Sequence, residues 1–253
     1  MYKNYIFDLY GTLVDIRTHE DDENLWKKMA LIYGYEGAIY SPDELYKEYR
    51  NLIQKEKDRV RKAHPTYEYI DINFEKVFKK LYTQKGAKAT KSQVLFTAKA
   101  FRCFSTEFVR LYDGIIDLLD SLKANGKKIY LLSNAQRCFT ENELNMLGLT
   151  PYFDGICISS DEDCSKPDRN YYQTLFSRYG LEKSESIMIG NDYLSDIGGA
   201  SDFGIDSLYI HQLISPEIEG ELKSKYTVMD GDVYKIKKLI LKETLNKSFV
   251  HIA

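Results

Sequence analysis

The sequence predicts an α/β fold: a doubly wound parallel sheet with an all-helical domain inserted after its first strand. Three observations lead there. Five short runs are almost wholly apolar, as strands buried on both faces are. Helical patterns that end in glycine separate most of them. Residues 16–109 hold several helix starts and no convincing strand.

In chain order, "YKNYIFDLY" packs Tyr5, Ile6, Phe7 and Leu9 into the first strand, closed by a turn at Gly11-Thr12. The insert follows, with helices expected over 22–34, 42–63, 71–85 and 91–109. Ser41 caps the second, with Pro42 at its first position and Glu44 three residues after the cap; Thr90 and Gln93 offer another capping box. An insert at this point sits over the C-terminal end of the first strand as a cap. Residues 1–15 and 110–253 then form the core domain and 16–109 the cap domain. The cap aromatics, Tyr33, Tyr46, Tyr49, Phe74, Phe78 and Phe101, read as helix-packing groups, and "EKDRVRK" (56–62) as a solvated helix face.

The remaining strands are "KKIYLLSN" (127–134), "GICISS" (155–160), "SIMIGND" (186–192) and "DSLYIH" (206–211). Between them, "IIDLLDSLKANG" repeats Ile116, Leu119 and Leu122 at helical spacing and stops at Gly126. "ENELNMLG" and "NYYQTLFSRYG" stop likewise at Gly148 and Gly180.

With 43% hydrophobic and 29% charged residues, the 253-residue chain has ample material for a globular core. A net charge of −3, with Lys and Arg interleaved among Asp and Glu, gives no footprint for nucleic acid. No apolar run reaches the ~20 residues that span a bilayer, and the start "MYKNYIFDLYG" lacks a signal-peptide cleavage pattern. The expectation is a cytoplasmic protein with a small-molecule partner, without nucleic acid or membrane; oligomeric state is not legible. Cys103, Cys138, Cys157 and Cys164 lack CxxC spacing and read as reduced, structural thiols.

In an open parallel sheet, ligands bind beyond the carboxyl ends of the strands. There the sequence places Asp8, then Ser133 and Asn134, then Asn191 and Asp192, with Lys166 just past the third strand and Pro167 suited to a first helical turn. These groups suit an anion with a divalent metal. Asp8 and Asp192 offer hard oxygen ligands for Mg²⁺; Lys166 and the amides after Asn134 would neutralise anionic oxygens; Gly11 lets the backbone turn closely past the ligand.

Those motifs resemble the haloacid dehalogenase-like (HAD) hydrolase superfamily, subfamily I. "FDLYGTL" looks like its first motif, "LLSN" (131–134) its second, "KPD" (166–168) its third and "IGNDYLSDIGGA" (189–200) its fourth, and the insert looks like a C1-type helical cap. The resemblance implies a Rossmann-like core and a covalent ester formed by Asp8 and hydrolysed by water. It also implies phosphate contacts from Gly11, Thr12, Ser133, Asn134 and Lys166, and Mg²⁺ on Asp8, the Tyr10 carbonyl and Asp192. Asn191 or Asp192 stands at the metal-facing position; we take Asp192, with Asp196 behind it holding Lys166 or a metal-bound water.

Tyr10 departs from the phosphatase pattern, in which a second Asp there protonates the leaving oxygen. A phenol of pKa ~10 is a poor acid for an alkoxide where a carboxyl of ~3.9 serves, whereas a halide needs no proton, and 2-haloacid dehalogenases of the family carry tyrosine here. Against that reading, "GNDYLSD" keeps two acids four residues apart as metal-dependent phosphatases do. The dehalogenase arginine expected about thirty residues after the nucleophile is missing: Ile39 and Tyr40 occupy the region and Arg50 is nearest. Tyr172, six residues after Lys166, suits either reading. The sequence thus points to a Mg²⁺-dependent phosphatase acting on a small phosphorylated metabolite, slow on alkyl and better on aryl or acyl phosphates. The alternatives are a 2-haloacid dehalogenase and a weakly active binding protein of the same fold. Arg17, His19 and Arg50 are the polar cap residues available for specificity.

Overall fold

The structure, a computed structural model, describes residues 2–239; the last part of the expected core segment, 240–253, lies outside the described residues. Six strands form one parallel sheet: β1 (Asn4–Phe7), β4 (Lys128–Ser133), β5 (Gly155–Ile158), β6 (Ser186–Gly190), β7 (Asp206–Ile210) and β8 (Tyr226–Val228). Their spatial order is β5-β4-β1-β6-β7-β8. The chain winds outward from β1 through β4 to β5, then crosses back to β6 on the other flank. That reversal makes the end of β1 the switch point of a Rossmann-like sheet. In register, Phe7 pairs with Leu131 on one side and Ile189 on the other, so the C-terminal ends of β1, β4 and β6 converge.

Alternation along each strand builds two apolar layers. Tyr5, Phe7, Ile129, Leu131, Ile187 and Ile189 face α5 (Ile115–Ala124) and α6 (Arg137–Met146). Ile6, Leu132, Cys157 and Met188 face α8 (Arg169–Tyr179) and α9 (Gly199–Phe203). The buried stripe of α5 is Ile115, Leu118, Leu119 and Leu122, and Ile116, expected in it, is 38% exposed. Leu119 and Leu122 keep the expected face, and Ile115, four residues before Leu119, takes the buried place instead of Ile116.

The insert carries α1 (Glu23–Tyr35), α2 (Pro42–Ala63), α3 (Phe74–Gln84) and α4 (Lys91–Ser105) around its own core of Trp26, Tyr49, Phe78 and Phe101. The expected caps form at Ser41 and at the Thr90–Gln93 box. The insert is not strand-free, and α4 stops short of Val109. β2 (Val14–Thr18) and β3 (Thr106–Leu111) pair as an antiparallel ribbon through which the chain leaves and re-enters the core. Nor does α3 begin at 71. Residues 68–73 form a non-helical link held against the core: Tyr69 O accepts from Ser165 N at 3.0 Å, and the Asp168 carboxylate accepts from the amides of Glu68 and Tyr69.

Cys138, Cys157 and Cys164 are buried and Cys103 is exposed, all as free thiols. No helix among the described residues is long and apolar enough to cross a membrane.

Candidate active site

Asp8 follows β1 directly, its amide bonded to Ile189 O of the neighbouring strand, which fixes its carboxylate at the sheet's switch point. Lys166 Nζ donates to Asp8 Oδ1 at 2.7 Å and to Asp196 Oδ1 at 2.6 Å, with all three residues buried. Asp8 Oδ2 makes no hydrogen bond among the described residues. Two carboxylates raise the Lys166 ammonium above the ordinary lysine range and keep it charged against the pull of burial. One ammonium does not offset two buried carboxylates: burial, with Asp8 adding to it against the opposing pull of Lys166, pushes Asp196 up to about 7.

The scaffold behind these groups accounts for several motif residues. Asn134 clasps the Lys166 backbone from both sides, its Nδ2 donating to Lys166 O and its Oδ1 accepting from Lys166 N. Pro167 does not open a helix; Asp168 caps α8 one residue later. Asp196 lies in a π-helical turn, Tyr193–Gly198, and accepts from the Asp192 amide. Gly190 leaves room for that carboxylate, since a Cβ would fall 2.2 Å from Asp196 Oδ2. Tyr172 donates to the carbonyls of Ser195 and Asp196 from beneath the turn.

Asp8, Asp192 and Lys166 line one cleft of 210 Å³ together with Tyr10, Asn134 and Asp196. Asp192 also caps the π turn through Oδ1, which accepts from the amides of Leu194 and Ser195 at 2.9 Å. Asn191 lines the same cleft; Thr12 donates to its Oδ1, and its amide donates to Ser215. Gly11 (φ +83°) and Thr12, expected at the phosphate, are not among the residues that line this cleft. Gly11 donates its amide to Val14 O, and a Cβ on it would lie 2.3 Å from the Asn191 side chain. The amides after Asn134 are likewise occupied, Ala135 N donating to Ser159 Oγ and Arg137 N to Ser160 Oγ. Ser133 Oγ is buried with no hydrogen-bond partner among the described residues.

Tyr10 does not point a free proton at the cleft. Its hydroxyl donates to Glu143 Oε2 on α6 and lies 3.0 Å from Thr140 Oγ1. Arg102, from cap helix α4, bonds Glu143 Oε1 at 2.6 Å and stands over the Tyr10 ring. Burial and the neighbouring Glu143 hold the Tyr10 phenol well above its ordinary range, against the opposing Arg102. Glu143 and Arg102 were not singled out from the sequence; they lie 133 and 92 positions from Tyr10, with no local pattern to join them.

Arg17 and His19 pair instead with Glu107 on the exposed ribbon, and Arg50 is exposed on α2; none lines a described cleft. A larger cleft of 470 Å³, between ribbon, cap and core, is lined by Glu20, Asp71, Phe74, Arg102 and Gln136 among others.

A parallel α/β core with an aspartate at its switch point, a buried lysine beside it and an acidic turn after a neighbouring strand has the motif order of the haloacid dehalogenase-like hydrolases. The chain belongs to the haloacid dehalogenase-like hydrolase family, whose profile it matches over residues 2–204, and it is a hydrolase. It is 27% identical over 211 residues to the pyrimidine 5′-nucleotidase PynA of Streptococcus pneumoniae, covering 82% of this chain and 83% of that one. It is 26% identical over 225 residues to (S)-2-haloacid dehalogenase 1 of Pseudomonas sp., covering 84% and 86%. The magnesium-bound HAD-hydrolase YfnB of Bacillus subtilis superposes with a TM-score of 0.55 at 20% identity, over 94% of this chain and 98% of that one.

Proposed function

We propose that the chain is a Mg²⁺-dependent phosphatase acting on a small phosphorylated metabolite, with Asp8 as nucleophile and residues 16–109 as a cap over the site. One observation carries this reading: Asp8 and Asp192 line one cleft in which, among the described residues, Lys166 is the sole cation, leaving an excess of negative charge. No three His, Cys, Asp or Glu side chains converge as a metal cluster among the described residues; the two carboxylates lining this cleft are a set that Mg²⁺ accepts when water and substrate oxygens complete its shell. Asp8, Asp192 and the Tyr10 carbonyl would hold it. When bound, the ion supplies positive charge for the phosphoryl oxygens.

The chain's own residues do the rest. Asp8 Oδ2, free of hydrogen bonds, attacks phosphorus while Lys166 holds Oδ1 and fixes the carboxylate's orientation. The P–O bond to the leaving group breaks, and that group departs as an anion, because the Tyr10 proton is held by Glu143. Water then attacks the aspartyl-phosphate, releasing inorganic phosphate and restoring Asp8. The buried Ser133 hydroxyl, without a partner among the described residues, would donate to a phosphoryl oxygen that reaches it.

Tyr10 also favours a second reading, a 2-haloacid dehalogenase, since a halide needs no acid. Arg102 is the only arginine lining either cleft, and Glu143 already engages it, which weakens that reading. Phosphate release and halide release, assayed side by side with and without Mg²⁺, test the choice. Phosphate release that requires Mg²⁺ is the expected result; chloride release from 2-chloropropionate without Mg²⁺ would overturn it.

A further inference from the structure

The 470 Å³ cleft meets the catalytic cleft at Tyr10 and Asn134, which line both, so a phosphoryl group beside Asp8 would extend its leaving group into it. Three charged side chains line this space: Arg102, Asp71 and Glu20. Arg102 is neutralised by Glu143 at 2.6 Å. Asp71 is engaged on both oxygens, accepting from Ile72 N and Gln136 Nε2 on one and from Ser159 Oγ on the other, with Lys57 acting on it only through space. Glu20 differs. It lies between β2 and α1, its backbone carbonyl accepts from Trp26 Nε1, and its carboxylate makes no hydrogen bond or ion pair among the described residues. Burial pushes that carboxyl above its ordinary range, with Arg102 opposing and Asp21 adding to the shift.

A partly desolvated carboxylate without a partner costs free energy that an incoming donor restores. The cleft also offers no uncompensated positive charge to a second anion. Building on the phosphatase reading, we propose that this cleft receives the leaving group, and that Glu20 selects one bearing an ammonium or hydroxyl donor over one bearing a second negative charge. Phosphate monoesters of amino- or polyhydroxy-compounds belong to the favoured class; bisphosphates and phosphorylated carboxylic acids are disfavoured.

Aryl esters test this without help from an acid at position 10. We compare 4-(aminomethyl)phenyl phosphate, 4-(hydroxymethyl)phenyl phosphate and 4-carboxyphenyl phosphate, each normalised to phenyl phosphate on the same enzyme. The cationic and neutral esters should exceed the anionic one about tenfold in kcat/KM. Glu20→Gln should reduce that ratio severalfold, and Glu20→Lys should invert it. An anionic ester that matches the others on the unmodified enzyme, or a ratio unmoved in both variants, would overturn the assignment. If phenyl phosphate itself releases no phosphate, the phosphatase reading fails separately. The cleft is then judged by calorimetric binding of 4-(aminomethyl)phenol against 4-hydroxybenzoate, where the amine must bind more tightly for the assignment to stand.

Discussion

The hydroxyl of Tyr10 donates to Glu143, so the residue at the family's acid position is tied into a buried contact between the core and cap helix α4 through Arg102. The side chains of Arg102 and Glu143 are only 14% and 8% exposed, which makes their pairing far less screened than a surface ion pair. Tyr10 thereby joins cap to core, and the geometry gives it no proton to offer the cleft.

Tyr10→Phe tests that division of labour. Removing the hydroxyl leaves Glu143 one donor short and should cost about 1–3 kcal/mol in urea unfolding. Turnover of aryl phosphates should stay within about threefold. The pH dependence has a definite sign. The native state holds the Tyr10 proton above the ordinary range while the unfolded chain releases it near ~10, so stability falls as pH rises beyond ~10. In the variant that fall should be shallower, by up to about 1.4 kcal/mol per pH unit. An unchanged slope would show that the tyrosine is not held neutral by its surroundings.

Asp192 serves two purposes that substitution can separate. Asp192→Ala removes the charge and the cap on Leu194 and Ser195, and should lower stability by about 1 kcal/mol. Asp192→Asn keeps a capping oxygen and should lose little stability. Calorimetry should find Mg²⁺ affinity weakened in both. Full affinity in the asparagine variant would remove Asp192 from the metal site.

Gly190→Ala places a methyl group where Asp196 Oδ2 lies. The carboxylate must shift, and Lys166 with it, because Asp196 Oδ1 bonds that ammonium at 2.6 Å. A displacement of about 1 Å at the nucleophile's partner should cost roughly 10²-fold in turnover, with overpacking of about 1–3 kcal/mol visible in thermal unfolding. Activity near that of the unmodified chain would mean that Asp196 does not need its present place.

These groups differ in how legible they were. Asp8 ends an apolar run and Lys166 follows soon after another, and a parallel sheet brings strand ends together whatever lies between them, so strand order suffices to pair these two, whereas Asp196 is read only from the family resemblance. The ribbon was missed because "VDIRT" and "TEFVRL" place polar residues among their β-formers, and the second continues a helical pattern without a break. β8 is only three residues long. The resemblance implies phosphate contacts from Gly11 and Thr12, while their packing against Asn191 is tertiary and leaves no local trace in the sequence. Glu143 and Arg102 sit on ordinary amphipathic helices, and only the fold shows that both reach Tyr10.

Tyr10→Asp asks whether the acid's role can be restored. An aspartate is shorter than tyrosine, so its carboxyl cannot occupy the hydroxyl's place against Glu143 and stays nearer the cleft. Arg102 remains bonded to Glu143 and is not free to neutralise the newcomer. Crowding by Glu143 and Asp8 raises the new carboxyl's proton affinity, which suits it to protonate a leaving oxygen. Alkyl phosphates, whose alkoxide departs poorly without a proton, should then gain at least about tenfold in kcat, and aryl phosphates much less. The loss of the ring beside Arg102 should cost stability, so rates are compared between substrate classes on one enzyme rather than against the unmodified chain alone. Equal changes for both classes would show that position 10 does not reach the leaving oxygen. In a dehalogenase the same substitution would only oppose an anionic substrate, and no phosphate ester would gain.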